Sequence, residues 1–554
     1  MVPSGGRGNG SGRIGTVGVV GLGTMGAGIV EVFAKAGLSV VGVDGTPELA
    51  ERGKGFLTTS TGKAVARGRL SEQDQKALLD RVTWTASVTD LADVDLVIEA
   101  IPERLEFKID LFSKLDDIVR PDTILASNTS SLSLTTIAAA TKHPERVIGM
   151  HFFNPAPVLA LVEVISTLFT DTKLVREVRD LATRLGKKPV VVGDRAGFVA
   201  NALLITYLAR AIRLYETGSV SREDLDNAMR VGAGFPMGPL TLSDLIGLDV
   251  VKEVCDVLYE ATKDPSAAPP ALLQQMVTAG RLGRKTGQGF YDYGPDADES
   301  EQPASSGRAL AVSTIGLLGT GEALAQLGET MEAGGLKVVH SVTASAALGE
   351  AQIVFVGTDA GCATGECAAG ACECDQMGPA QEAISAGLSK IGKNAILAPM
   401  DGLAEWAIGT PDEHARVVVP VRLHEPTKGG QVLEIGTGLD SGAREVAAVR
   451  TAADRAGLVP VVGRARSGLV VDALLYPHLN DAVAMLDSGY ASAQDIDTAM
   501  TAGCGYPEGP FTMIDRLGAD QVTEGLAVMA TTVGGAGPSP LLVEHAVRGR
   551  KFLD

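Results

Sequence analysis

The 554-residue chain repeats itself. "SREDLDNAMRVGAGFPMGPLTLSD" at 221–244 matches "SAQDIDTAMTAGCGYPEGPFTMID" at 492–515 without a gap, at a constant offset of 271 residues. The same offset pairs "AGFVANALLITYLARAIRLYETG" (196–218) with "SGLVVDALLYPHLNDAVAMLDSG" (467–489), and "LVEVI" with "VLEI". Such self-similarity requires that both copies build one kind of unit, so the chain reads as two related halves. Its length calls for about three to five domains in total.

Residues 198–215 carry apolar side chains every three or four positions, the spacing of a helix with one buried face, and "GAGFPMGP" turns into a further helix. A helical domain is expected over 191–294, with its copy over 461–554. Ahead of the first, "RIGTVGVVGLG", "SVVGVD", "VDLVIEAI", "TILASN" and "RVIGMHFF" are short β-branched runs separated by helical patterns. That alternation predicts a parallel sheet with crossover helices over 13–190, and a second such unit over 309–460. "PDADESEQPASSGR" (295–308) is acidic and rich in Pro and Ser, and reads as a linker.

A net charge of −19 argues against a nucleic-acid partner, because a phosphate backbone needs a basic face. There is no run of eighteen apolar residues, and "MVPSGGRGNGSGR" lacks the apolar core of a signal peptide, so residues 1–12 read as a flexible start to a cytoplasmic protein without membrane contact. Cys362, Cys367, Cys372 and Cys374 crowd one Ala/Gly-rich stretch. Structural zinc takes paired ligands from two separated turns, so this stretch reads as a loop of small reduced residues and no metal is expected.

Gly21, Gly23 and Gly26 stand in G-x-G-x-x-G spacing between an expected strand and an expected helix. The first two permit a tight turn and close approach of a pyrophosphate to backbone N–H groups at the helix start; the third lets helix and strand pack closely. Asp44 ends the next strand, where a carboxylate accepts from a ribose 2′-hydroxyl and repels a 2′-phosphate, which favours NAD over NADP. In the second half Gly319 and Gly321 survive, Leu324 takes the third glycine position and His340 is expected where the acid belongs. The expected fold class is therefore α/β plus all-α: a Rossmann-like NAD-binding domain followed by a helical domain, the pair duplicated with a degenerate second copy.

With "GLGTMGAGI", "SNTSSLSL", "MHFFNPAPVLALVEVI", "GFVANALL", "GAGFPMGP" and "GRKTGQGFYDY" in order, the first 295 residues resemble the L-3-hydroxyacyl-CoA dehydrogenase family. The tandem layout is similar to bacterial members acting on 3-hydroxybutyryl-CoA or 3-hydroxyadipyl-CoA. The resemblance implies reversible NAD-linked oxidation of a (3S)-3-hydroxyacyl-CoA to the 3-oxoacyl-CoA. Removing hydride from a secondary alcohol requires its O–H proton to leave as well, and a neutral imidazole is a suitable general base. His151 fits that role, with Glu163 facing it if the chain reverses at Asn154-Pro155.

By the same resemblance, Ser130 and Asn201 hydrogen-bond the substrate oxygens and Asn154 lies at the substrate. Glu103, Lys108 and Lys285 match positions near the cofactor, and Ser60 and Arg67 match positions that contact CoA. His143, His340, His414, His424, His478 and His545 lack such surroundings and read as structural. In the second half Arg422 stands at the place of His151, Glu425 at that of Asn154, Asp472 at that of Asn201, and Gly402 near that of Ser130. An arginine stays protonated and accepts no proton, so chemistry is expected in the first half alone. The better-kept helical copy is expected to cover 191–294 as an internal pseudo-dimer. Two rivals remain at this level: a free hydroxy acid dehydrogenase of gulonate type, in which Ser60 and Arg67 have no role, and a scaffold whose second half recruits a partner.

Overall fold

The computed structural model describes residues 14–294, 311–342, 345–357, 391, 394–400, 417–438 and 441–553. The segment 1–12, the linker 295–308, Gly402, His414 and the stretch Cys362–Cys374 lie outside the described residues. No helix among the described residues is long and apolar enough to cross a membrane.

The first half opens with one eight-stranded sheet: β1 (Thr16–Val20), β2 (Ser39–Val43), β3 (Val82–Thr85), β4 (Leu96–Glu99), β5 (Ile124–Ser127), β6 (Val147–Phe152), β7 (Leu161–Ser166) and β8 (Lys188–Gly193), in the order β3-β2-β1-β4-β5-β6-β7-β8. Five of these are the expected runs. β3, β7 and β8 extend the sheet beyond them, and β8 carries it past residue 190 into the stretch expected to begin the helical domain. All neighbours are parallel except β6 and β7. The strands β4 and β5 are buried throughout, as sheets covered on both faces must be.

Alternation sorts side chains to the two faces. Val17, Leu96, Ile98 and Ile124 pack beneath the helix Thr24–Lys35, while Val20, Val97 and Leu125 join the opposite layer with Phe112 and Leu115. On β7, Val162 and Val164 face the Rossmann helices, whereas Leu161 and Ile165 belong to the core of the helical domain. Glu163 lies between those two and so points toward the helical domain.

That domain is built around the helix Ala200–Glu216. The sequence spacing suggests one buried face, yet Leu203, Leu204, Ile205, Tyr207, Leu208, Ala211 and Ile212 are all buried. The reason is a partner on its far side: the helix Val471–Asp487 of the second half packs against it within one continuous core. Across that contact Tyr207 meets His478 (ring centroids 5.3 Å), Phe235 stacks on Tyr506 (4.2 Å) and Arg210 donates to Asp481 (3.0 Å). Each pair is separated by the repeat offset of 271, so every residue faces its own counterpart. Burial holds the His478 imidazole at about 3, far below its ordinary range.

The second half contains β9 (Thr314–Leu318), β10 (Lys337–Ser341), β11 (Ile353–Val356) and β12 (Ile396–Pro399) in one sheet, and β13 (Val421–Leu423), β14 (Val432–Thr437) and β15 (Val459–Arg464) in another. Contacts between the halves are reciprocal. Gly503 fits against Leu161 of β7, and Gly232 fits against Val471 and Val432; an added Cβ would lie 2.5 Å from Leu161 Cδ2 or 2.9 Å from Val471 Cγ2.

Candidate active site

His151 and Glu163 are direct partners in the β6–β7 register. His151 Nδ1 lies 2.7 Å from Glu163 Oε2, and both side chains are buried. A carboxylate only accepts, so Nδ1–H donates and Nε2 keeps its lone pair. The other oxygen, Oε1, accepts from the backbone N–H of Val199 and of Ala200, each at 3.0 Å. These amides open the helix Ala200–Glu216, where orphan N–H groups and the helix dipole favour an anion. Reaching them requires a left-handed turn, with Gly197 at φ 70° and Phe198 at φ 48°. The carboxylate is thereby fixed from two sides. The Phe153 ring, 4.4 Å from the imidazole, flanks the base.

Ser130 sits on the loop after β5. Glu103 Oε1 gathers that loop by accepting from the Thr129 hydroxyl (2.6 Å), the Ser130 N–H (2.8 Å) and the Ser131 N–H (3.2 Å), with a longer bond from the Ser130 hydroxyl (3.3 Å). Burial opposes ionisation of Glu103, but the Lys108 ammonium and these donors hold its pKa below the usual carboxylate range. Lys108, 1% exposed, lies 2.6 Å from Glu99 and 3.2 Å from Glu103. The Lys108 ammonium is enclosed between two carboxylates and Glu103 Oε1 is engaged with the loop, so both residues, expected near the cofactor, also have a role within the protein. Both organise Ser130. Asn201, in the first turn of its helix, directs Nδ2 toward the Ser130 carbonyl at 3.5 Å.

The glycine loop fits a dinucleotide. A Cβ on Gly26 would lie 1.7 Å from the Gly21 carbonyl oxygen, and Gly21 holds φ 91°. Beyond its own chain neighbours, no atom of the described residues lies within 4 Å of the Cβ position of Gly23, which leaves room for a ligand beside the backbone. Asp44 does more than the motif states: Oδ2 accepts from Leu22 N–H and Oδ1 from Gly45 N–H, bracing the loop it serves. The residues therefore match NAD.

The remaining positions spread around this centre. Asn154 is exposed in the β6–β7 turn and makes no hydrogen bond to described residues. Lys285 is ion-paired with Asp249 on the helix Leu248–Thr262. Ser60 lies near the buried Glu31 carboxyl, whose pKa burial raises. Two turns on, Arg67 caps the same helix, exposed and without an ion pair among described residues. Sequence reasoning missed Asn128, whose Oδ1 accepts from Phe152 N–H at 2.8 Å and ties β6 to the Ser130 loop. It also missed Glu99 and the Val199 and Ala200 amides. Backbone donors carry no sequence signal; Asn128 was visible in "SNTSS".

The second half differs from expectation at two histidines. The strand registers align Val342, not His340, with Asp44; His340 instead donates to the Gly319 carbonyl at 2.7 Å. His424, expected to be structural, pairs with Glu434 at 2.6 Å through Nε2. Arg422 is the cross-strand partner of Glu434, but two residues along a strand return to the same face, so His424 also reaches the carboxylate. Arg422 turns to Asp472 at 2.7 Å. Leu324 occupies the position where Gly26 tolerates no Cβ, and Gly321 has φ 113° where Gly23 has −63°. The dinucleotide loop is not rebuilt there.

Comparison with known proteins agrees with this geometry. Over 279 residues, half of this chain, it is 48% identical to 98% of the 3-hydroxybutyryl-CoA dehydrogenase of Mycobacterium tuberculosis. It is 44% identical over 283 residues to 90% of the mitochondrial hydroxyacyl-coenzyme A dehydrogenase of Homo sapiens. The crystal structure of 3-hydroxybutyryl-CoA dehydrogenase from Escherichia coli K12 matches 97% of this chain and 99% of its own, with TM-score 0.75 and 30% identity. The model of the 3-hydroxyacyl-CoA dehydrogenase NAD-binding domain covers residues 16–195, and that of the C-terminal domain covers 197–293 and 468–552, so the chain belongs to the 3-hydroxyacyl-CoA dehydrogenase family.

Proposed function

We propose that the first half oxidises a (3S)-3-hydroxyacyl-CoA of short chain, the 3-hydroxybutyryl type, reversibly with NAD. The observation that carries this is the buried His151–Glu163 pair, clamped by two helix amides and keeping Nε2 as an acceptor. NAD supplies the hydride acceptor when bound, held at Gly21, Gly23, Gly26 and Asp44. All proton handling falls to the chain. Nε2 takes the hydroxyl proton, and Glu163 steadies the resulting imidazolium. Ser130 and Asn201 hold the substrate oxygens, since the 3.3 Å bond from the Ser130 hydroxyl to Glu103 is long and readily exchanged. Arg67 receives a CoA phosphate near the protein surface. A panel of CoA thioesters tests the reading by NADH consumption: acetoacetyl-CoA is expected to be reduced at least about 10²-fold more efficiently than free acetoacetate, because binding energy from the CoA part supports the reacting centre. Equal efficiency for the free acid removes the CoA assignment. Longer and ω-carboxylated thioesters in the same panel set the acyl preference.

The pairing of Tyr207 with His478, Phe235 with Tyr506 and Arg210 with Asp481 supports an internal pseudo-dimer built within one chain. In a symmetric dimer of one repeat, Arg210 would face another arginine; tandem fusion allows the opposite charge. Asp481→Arg is expected to lower stability by about 2 kcal/mol, between the values for exposed and buried pairs. The exchanged Arg210→Asp/Asp481→Arg chain is expected to regain most of it. Denaturation midpoints check both, and equal midpoints for wild type and Asp481→Arg remove the claim.

A further inference from the structure

A cavity of ≈ 600 Å³ opens in the second half between β13, the start of the helix Val471–Asp487 and the helix Ala519–Thr532. By the repeat offset, Arg422 and Asp472 of its wall stand where His151 and Asn201 stand in the first half. Its floor is built to the same plan. Glu434 Oε1 accepts from Val470 N–H (2.8 Å) and Val471 N–H (3.0 Å), and Gly468 (φ 82°) and Leu469 (φ 44°) reproduce the left-handed turn. The frame of a substrate pocket has thus been kept while its contents were changed: Arg422 takes the register position of the base, His424 of the same wall reaches Glu434 through Nε2 (2.6 Å), and the glycine loop among the described residues carries Leu324 in place of its third glycine.

The new wall has its own character. Leu475, Val528 and Met529 form an apolar side, while Glu425, paired with Arg516, and Glu524 also line the cavity. Arg422 is bound to Asp472, whose carboxyl burial raises in pKa against the pull of Arg422. Arg466 lines the cavity, is exposed and makes no ion pair with described residues. A guanidinium beside an apolar wall matches an aliphatic chain that ends in a carboxylate, since the planar fork accepts both carboxylate oxygens.

We propose that this cavity is a second, non-redox binding site for a short acyl chain ending in a carboxylate, gripped at Arg466. The acyl class rests on the reading of the first half, whereas the carboxylate rests on the cavity itself. Two sources share that chemistry, a free carboxylic acid and a CoA thioester of a dicarboxylic acid. The test uses the full chain, with hexanoate, hexanamide and glutaryl-CoA as probes in calorimetric titration and NADH-linked turnover of acetoacetyl-CoA measured on the same preparations. Hexanoate is expected to bind once per chain, about ten-fold or more tighter than hexanamide. Arg466→Glu is expected to weaken hexanoate by at least about ten-fold, and Val528→Trp, which fills the wall, to abolish binding, with turnover unchanged in both. Glutaryl-CoA bound twice per chain identifies the thioester as the source, and bound once, with hexanoate retained, the free acid. Hexanoate and hexanamide binding equally, or hexanoate binding unaffected by both substitutions, overturns the site. Loss of turnover in the wild-type chain would instead sink the reading of the first half and leave the cavity result standing.

Discussion

His151→Gln lowers kcat by about 10²–10⁴-fold while KM for the acyl-CoA stays within a few-fold of wild type. A glutamine amide has nearly the reach of the ring but takes no proton at neutral pH, so the alcohol loses the imidazole that would accept its proton. The other parts of the site do not depend on the imidazole. Glu163 Oε1 still accepts from Val199 and Ala200, Glu103 still gathers the Ser130 loop, and the glycine loop lies on a different strand. Steady-state kinetics in both directions, with circular dichroism to confirm the fold, makes the measurement. Turnover within about threefold of wild type would remove His151 from the chemistry.

The residues that show in the sequence and those that do not divide on physical lines. Gly26 is legible because the constraint is local: one carbonyl, five residues back, fills the space of a side chain. His151 and Glu163 are legible because a turn between two short strands brings residues twelve apart into register. Glu103 and Lys108 are recognisable as special positions, but their partners within the protein are not legible in the sequence. What they hold, the Ser130 loop, follows β5, and β5 becomes their neighbour only through its parallel pairing with β4. The His424–Glu434 pair is not legible because a repeat alignment compares like positions, whereas a strand presents every second residue to the same face. The two-sided burial of Ala200–Glu216 was hidden for another reason: its second partner lies in the other copy, which periodicity within one helix does not report.

The amide clamp decides how Glu163 must be tested. Glu163→Gln keeps a carbonyl oxygen for the Val199 and Ala200 N–H groups, so the fold is expected to hold. Its NH₂ group then faces His151, and two donors cannot meet: Nδ1 must become the acceptor and the ring proton moves to Nε2. The base is present but in the tautomer that accepts nothing from an alcohol, and it has lost the charge that steadies an imidazolium. We expect kcat to fall about 10²–10⁴-fold with stability near wild type. Glu163→Ala removes the same catalytic support and also orphans two buried amides, each costing about 1–3 kcal/mol. It is expected to be both inactive and easier to unfold. Kinetics and denaturation run on the two variants together separate orientation of the base from integrity of the fold. Should Glu163→Gln retain full turnover, Glu163 would be a helix anchor only, and the tautomer of His151 would have to be set by another group.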